Sequence, residues 1–166
     1  AYSQSPEHWP AAHWDDLIPP EERHELGEVP DVVHPADNPY SREKAELGRQ
    51  LFWDARLSGS LGVACVSCHH PDTGWTDGRA SSMGHHLSLS DRNAPTIMGS
   101  GHAKSLMWDG RAESLEAQAL LPLANEKEMH ADFADVEQRV NDIPGYVESF
   151  KQVFGVERAT LNEITM

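Results

Sequence analysis

Cys65-Val66-Ser67-Cys68-His69 reads C-x-x-C-H, the attachment signature of a c-type haem. Two thiols at this spacing add across the two vinyl groups of one porphyrin. The imidazole that follows reaches the iron from the same side, so the group is held covalently with His69 as its proximal ligand. Other uses of a C-x-x-C pair fit less well. A structural zinc site wants about four Cys or His ligands in paired clusters, and the chain has 2 cysteines in all. A thioredoxin-type redox pair belongs to a βαβ pattern, and none surrounds Cys65.

Composition bounds the rest. A chain of 166 residues buries one core, or one core with an arm. Apolar residues make up 39%, and no run approaches the ~20 needed for a membrane span. The sequence begins at Ala1, as a product cleaved after a small residue would. Haem c is attached on the oxidising side of the membrane, so a periplasmic location is expected. With both cysteines committed to haem, no disulfide is expected. The formal charge of −14 disfavours nucleic acid and anionic membranes as partners. It suits a basic electron donor, or simply keeps the chain in solution.

Residues 1–40 are dense in proline and show little periodicity. They read as an extended N-terminal arm, packed on the body by Trp9 and Trp14, with a short helix near Pro20–Leu26. His8, His13, His24 and His34 share no ligand spacing and read as surface histidines. Residues 41–166 read as the haem domain. Ser41 caps a helix with apolar spacing at Leu47, Leu51 and Phe52 that ends at Trp53. The haem motif follows on a short helix. Residues 70–105 are rich in Gly, Ser, Asp, Asn and His, a long irregular stretch of the kind that carries function. Further helices are expected from Ser114 to Pro122, from Asp132 to Asn141 and from Tyr146 to Phe154. No segment alternates as a strand does. The expected class is all-α, with long loops and a haem in place of much of the side-chain core.

From Leu47 onward the chain resembles the bacterial di-haem cytochrome c peroxidases and their MauG-like relatives. The matching blocks run in order: Leu47-Gly48-Arg49-Gln50-Leu51-Phe52-Trp53-Asp54, Arg56-Leu57-Ser58, Cys65 to His69, and Trp75-Thr76-Asp77-Gly78-Arg79. Then come Arg92-Asn93-Ala94-Pro95-Thr96, Met107-Trp108-Asp109-Gly110-Arg111-Ala112, Leu115-Glu116-Ala117-Gln118-Ala119 and Glu128-Met129. Together they cover about three quarters of the chain, without the arm. The resemblance implies a cytochrome c-like fold. Family members carry two haem domains, each with its own C-x-x-C-H. This chain has one, so the resemblance is to the N-terminal, peroxidatic half, with the second haem expected on another domain or subunit.

The resemblance also assigns roles. Glu128 would be the acid–base group for peroxide, Gln118 would orient the peroxide, and Trp108 would relay electrons between the haems. Read without the family, these are a solvated charge, a polar helix face and a packing tryptophan. His85 or His86 would close the sixth position of the resting iron, a role that exposed loop histidines in MauG-like members do not fill. Asn93 would ligate a calcium ion between the domains, or serve as an ordinary turn residue before Pro95. Arg56, Arg79 and Arg111 are candidates for propionate or interdomain ion pairs, and Trp53 and Trp75 for packing at the haem edge. Met83, Met98, Met107 and Met129 offer thioethers, though methionine more often fills gaps in cores.

Three functions are compatible with these residues. The first is a haem c peroxidase that reduces hydrogen peroxide to water, with electrons from a small cytochrome c or cupredoxin through the second haem. The second is a MauG-like di-haem enzyme that oxidises residues of a partner protein through a high-valent haem. The third is a one-haem electron-transfer module, which would have no need of the Gln118 and Glu128 pair.

Overall fold

Helix formation begins at a cap. The Ser41 hydroxyl accepts from the Lys44 N–H at 3.1 Å, which satisfies one of the free donors of the first turn. Helix α1 (Arg42–Phe52) follows, with Leu47 and Leu51 one turn apart on its buried face. This computed structural model describes residues 3–11, 13–23 and 29–166. Helix α2 (Leu115–Ala124) is capped by Ser114, and α3 (Phe133–Asn141) by Asp132, whose carboxylate accepts from Ala134 and Asp135. Helix α4 (Pro144–Phe154) starts on a proline and stops at Gly155, which is left-handed at φ 71°. A final turn, α5 (Leu161–Thr165), carries Thr160 and Glu163 as a reciprocal capping pair. The sequence pattern did not show this helix, because five residues are too few to display a period.

The described part is helical, with almost no strand. Between α1 and α2 the chain makes single 3-10 turns and three isolated antiparallel bridges: His70 with Thr76, Met83 with Leu89, and Leu106 with Ala112. The helix expected near Pro20–Leu26 is a 3-10 turn at Pro20–Glu22 followed by Arg23 in extended backbone; residues 24–26 of that stretch, with His24, lie outside the described residues. Two compact units result, Ala1–Asp31 and Val32–Met166. In the first, the Trp9 indole N–H donates to the Gln4 carbonyl.

The core of the second unit gathers Leu47 and Leu51 of α1, Val136 and Val140 of α3, and Tyr146 and Phe150 of α4. Leu57, Val63, Leu123 and Met129 join them from the loops and the end of α2. Val136 and Phe150 are fully buried. Helix α5 is tied to α3 by polar contacts: the Leu161 N–H donates to Glu137 Oε1, and the Asn141 amide bonds both backbone groups of Ala159.

One buried carboxylate joins the elements. Asp54, directly after α1, accepts from the Tyr146 hydroxyl of α4 at 2.7 Å and from the Arg56 guanidinium at 2.6 Å. Arg139 of α3 donates to the carbonyls of Arg56 and Ser58. Burial by itself would raise the Asp54 carboxyl, but the bonds from Arg56 and Tyr146 hold it below its ordinary value. Burial and Asp54 together push the Tyr146 phenol up to about 12. Asp54→Ala leaves the Tyr146 hydroxyl without its acceptor, and a loss of about 2 kcal/mol is expected. Because the folded Asp54 titrates below the unfolded one, its contribution is complete above pH ~4. It disappears as pH falls through the lowered value. Thermal melts of both proteins across pH should therefore show a gap at neutral pH that closes in acid.

Candidate functional site

The haem motif is a single 3-10 turn, Cys65–Ser67. The Cys65 carbonyl accepts from the N–H groups of both Cys68 and His69, so one oxygen winds the turn and sets the three side chains. Cys65 packs against the core, while Cys68 and His69 are half-buried. Both thiols are free. Burial raises each, Cys65 to about 11. For Cys68 the carboxylates of Asp77 and Glu128 push the same way.

His69 is already oriented. Its Nδ1 lies 3.2 Å from the Trp75 carbonyl oxygen. That contact suits Nδ1–H as donor and leaves Nε2 with its lone pair, the arrangement a metal-binding imidazole needs. The ring is flanked by Phe52, which also meets the edge of Trp75. Two free thiols and an imidazole with a committed tautomer on one turn fit a covalently held haem.

Three pinched loops follow this turn in the chain, each closed by one of the isolated bridges. Each also carries a non-glycine residue at positive φ: Trp75 at 62°, His86 at 48° with Leu87 at 63°, and Met107 at 70°. Such backbone is uncommon outside glycine and concentrates where side chains must be aimed. A cavity of about 240 Å³ between the haem turn and the second loop is lined by Val63, Ser67, Asp77, Arg79, Met83 and Leu87, among others.

Glu128 lies on the turn after α2. Pro122 lies within that helix and has no N–H for the Gln118 carbonyl, while the Asn125 N–H closes the last regular bond, to Leu121. The carbonyls of Pro122 and Leu123 are taken by the returning chain: Met129 donates to Pro122 and Ala131 to Leu123. The turn is therefore fastened to the helix that carries Gln118. Burial raises the Glu128 carboxyl above its ordinary value, Arg111 pulls it down and Asp91 pushes it up. The Asn125 amide donates to Glu128 Oε1 at 2.9 Å.

The second loop leans on this turn. The His85 N–H donates to the Glu128 carbonyl at 2.7 Å. Only glycine fits at position 84, where a Cβ would overlap the Lys127 carbonyl and lie 2.6 Å from the Glu128 Cα. Of the histidine pair, His85 is half-buried and His86 exposed. The His85 ring sits 4.0 Å from that of His86 and 4.6 Å from that of His130. Its Nδ1 is buried without a partner among the described residues, and burial lowers its basicity. The three rings do not converge as a metal site, and no other cluster of three His, Cys, Asp or Glu does so among the described residues.

The remaining expected residues are more dispersed. Gln118 is half-buried on α2, with its amide 3.6 Å from the Met107 sulfur. Trp108 is 63% exposed at the tip of its loop, so it does not pack in the core. Asn93 is exposed. Arg56 is taken by Asp54 and Arg111 by Asp109. Met129 is buried in the core beside Glu128. Leu87, Leu89, Met98 and Trp108 leave large apolar surfaces uncovered. Asn125, Gly84 and His130 did not stand out in the sequence. Asn125 alone had a local signal, as an Asx-turn former directly after a helix.

Comparison with known proteins follows this geometry. A family model described as di-haem cytochrome c peroxidase matches residues 42–166. Methylamine utilization protein MauG of Methylophilus methylotrophus is 41% identical over 153 residues, spanning 92% of this chain and 45% of that protein. Cytochrome-c peroxidase IdrP1 of Denitromonas iodatirespirans is 44% identical over 147 residues, 89% of this chain and 38% of its own length. A crystal structure of a MauG-like protein associated with microbial copper homeostasis aligns with a TM-score of 0.75 at 33% identity, over 92% of this chain and 45% of that one. The chain thus spans less than half the length of these relatives. With the haem turn, the oriented His69 and this match over three quarters of its residues, the chain belongs to the di-haem cytochrome c peroxidase family.

Proposed function

We propose that residues 41–166 form the peroxide-facing haem domain, cytochrome c-like in fold, of a periplasmic enzyme that reduces hydrogen peroxide to water. Electrons arrive through a second haem on another domain or subunit, supplied by a small cytochrome c or cupredoxin. The observation that carries this reading is Glu128: a half-buried carboxylate on a turn fastened to α2 and to the His85 loop, with a charge that reaches Cys68 of the haem turn.

When bound, haem c would supply the electron-transfer chemistry for peroxide reduction. Cys65 and Cys68 would tether it, and His69, with Nδ1 engaged by the Trp75 carbonyl, would hold it through its free Nε2. On peroxide, Glu128 takes the proton from the near oxygen and returns it to the far one, so that the O–O bond breaks with water as the leaving group. Two further protons and two electrons complete the reduction to two waters. Burial suits Glu128 to this, because raising a carboxyl above its ordinary value makes it a better proton acceptor. The Gln118 amide is the orienting donor. Trp108, exposed on its loop, is the relay toward the second haem. His85 or His86 would supply a second histidine to the iron of the resting enzyme, and Asn93 would contribute to a calcium site shared with the second haem domain.

A MauG-like activity on residues of a partner protein is the second reading, supported by the similarity to MauG itself and to the MauG-like structure. A high-spin resting spectrum and peroxide-dependent modification of a protein partner would favour it. A bis-histidine low-spin spectrum would favour the first.

In the enzyme carrying both haems, Glu128→Gln should lower peroxide turnover by ~10²-fold with the haem spectrum retained; unchanged turnover would remove Glu128 from the mechanism. Gly84→Ala should displace the Glu128 turn while leaving attachment at Cys65 and Cys68 intact. Misplacement on the scale of an ångström costs on the order of 10²-fold, so steady-state peroxide consumption should fall well below wild type at unchanged haem content.

A further inference from the structure

The Glu128 carboxylate is held from one side only. The Asn125 side-chain amide donates to Oε1 at 2.9 Å. Among the described residues no protein donor reaches Oε2. Asn125 is also the residue that shapes the turn. Its Oδ1 accepts from the Lys127 N–H at 2.9 Å, and its carbonyl accepts from the N–H groups of both Glu128 and His130. It directly follows α2, and its own N–H is bound by Leu121. The side chain is thus fixed at both ends: the oxygen is engaged by the backbone, so the nitrogen is aimed at the carboxylate.

From this geometry we infer that Asn125 is a positioning residue for peroxide reduction, holding Oε1 of Glu128 so that Oε2 is the oxygen presented to peroxide. The inference rests on the reading of Glu128 as the proton-handling group. A carboxylate on a short flexible stem loses rotational freedom when one oxygen is bonded to a fixed donor. The oxygen that works then starts each turnover in place rather than by search. The turn-shaping and carboxylate-holding roles use different atoms of one amide, so substitution can separate them.

Asn125→Asp keeps an acceptor for the Lys127 N–H and removes the donor to Glu128. Asn125→Ala removes both without adding charge. In the enzyme carrying both haems, each should lower kcat for peroxide by roughly ten-fold or more, with KM and the haem spectrum little changed. The loss should vanish in a Glu128→Gln background, where nothing remains to be positioned. Independently of turnover, the infrared carboxylate band that disappears in Glu128→Gln should shift in Asn125→Asp. Full turnover and an unmoved band in Asn125→Asp, beside an inactive Glu128→Gln, would overturn the role of Asn125 and leave that of Glu128 standing. A loss in Asn125→Asp that persists equally in the Glu128→Gln background would likewise overturn it, since that is what a merely structural residue would do. Full turnover in Glu128→Gln would defeat the underlying reading first, and the role of Asn125 with it.

Discussion

The bracket formed by residues 54–64 ties the core of this protein to both sides of its site. Asp54 anchors it, because a buried carboxylate must find donors, and those donors come from Arg56 and from α4. Ser58, fully buried, continues the bracket: its hydroxyl donates to the Ala55 carbonyl and accepts from the Val63 N–H. From there the chain leads in two directions. The Gly59 N–H donates to the Met129 carbonyl, which meets the Glu128 turn from below. Val63 and Ala64 lead straight into the Cys65 turn. A shift in how Asp54 is held would therefore reach the Cys65 turn and the Glu128 turn together.

The site itself is made almost wholly of backbone conformations that helices and strands do not supply. His69 is aimed by a carbonyl at Trp75, a residue in left-handed backbone. The His85 loop meets Glu128 only because Gly84 has no side chain. Glu128 is held by Asn125, the residue that directly follows α2. Regular structure serves as the frame, and the pinched loops carry the chemistry. This is the division expected when a rigid disc, once attached, replaces part of the side-chain core and the loops have to follow its outline.

Much of the frame was legible in the sequence. Ser41, Ser114 and Asp132 mark helix starts because short polar side chains satisfy the first free N–H groups, and Leu47, Leu51, Val136 and Val140 keep the 3.6-residue period. The C-x-x-C-H spacing stands for its chemistry without any fold. Gln118 and Glu128 were visible only through family resemblance, since each alone looks like a solvated polar residue. Gly84 and His130 were not legible, because their contacts join the His85 loop to the Glu128 turn, and no local period encodes that meeting. Asn125 showed only as a turn former after a helix; its bond to Glu128 was not legible.

What the sequence by itself determined is the C-x-x-C-H spacing at Cys65, Cys68 and His69, the helical class, and the resemblance to the di-haem cytochrome c peroxidases. Spacing, capping and periodicity are local properties, and each is written in consecutive residues. What only the tertiary structure decided is which residues share an environment. It brought the His85 N–H to the Glu128 backbone carbonyl and left the Glu128 side chain half-buried. It also left the indole of Trp108 exposed rather than packed in the core. Burial and long-range hydrogen bonding depend on where the whole chain folds back, and they change what a glutamate or a tryptophan can do without changing its place in the sequence.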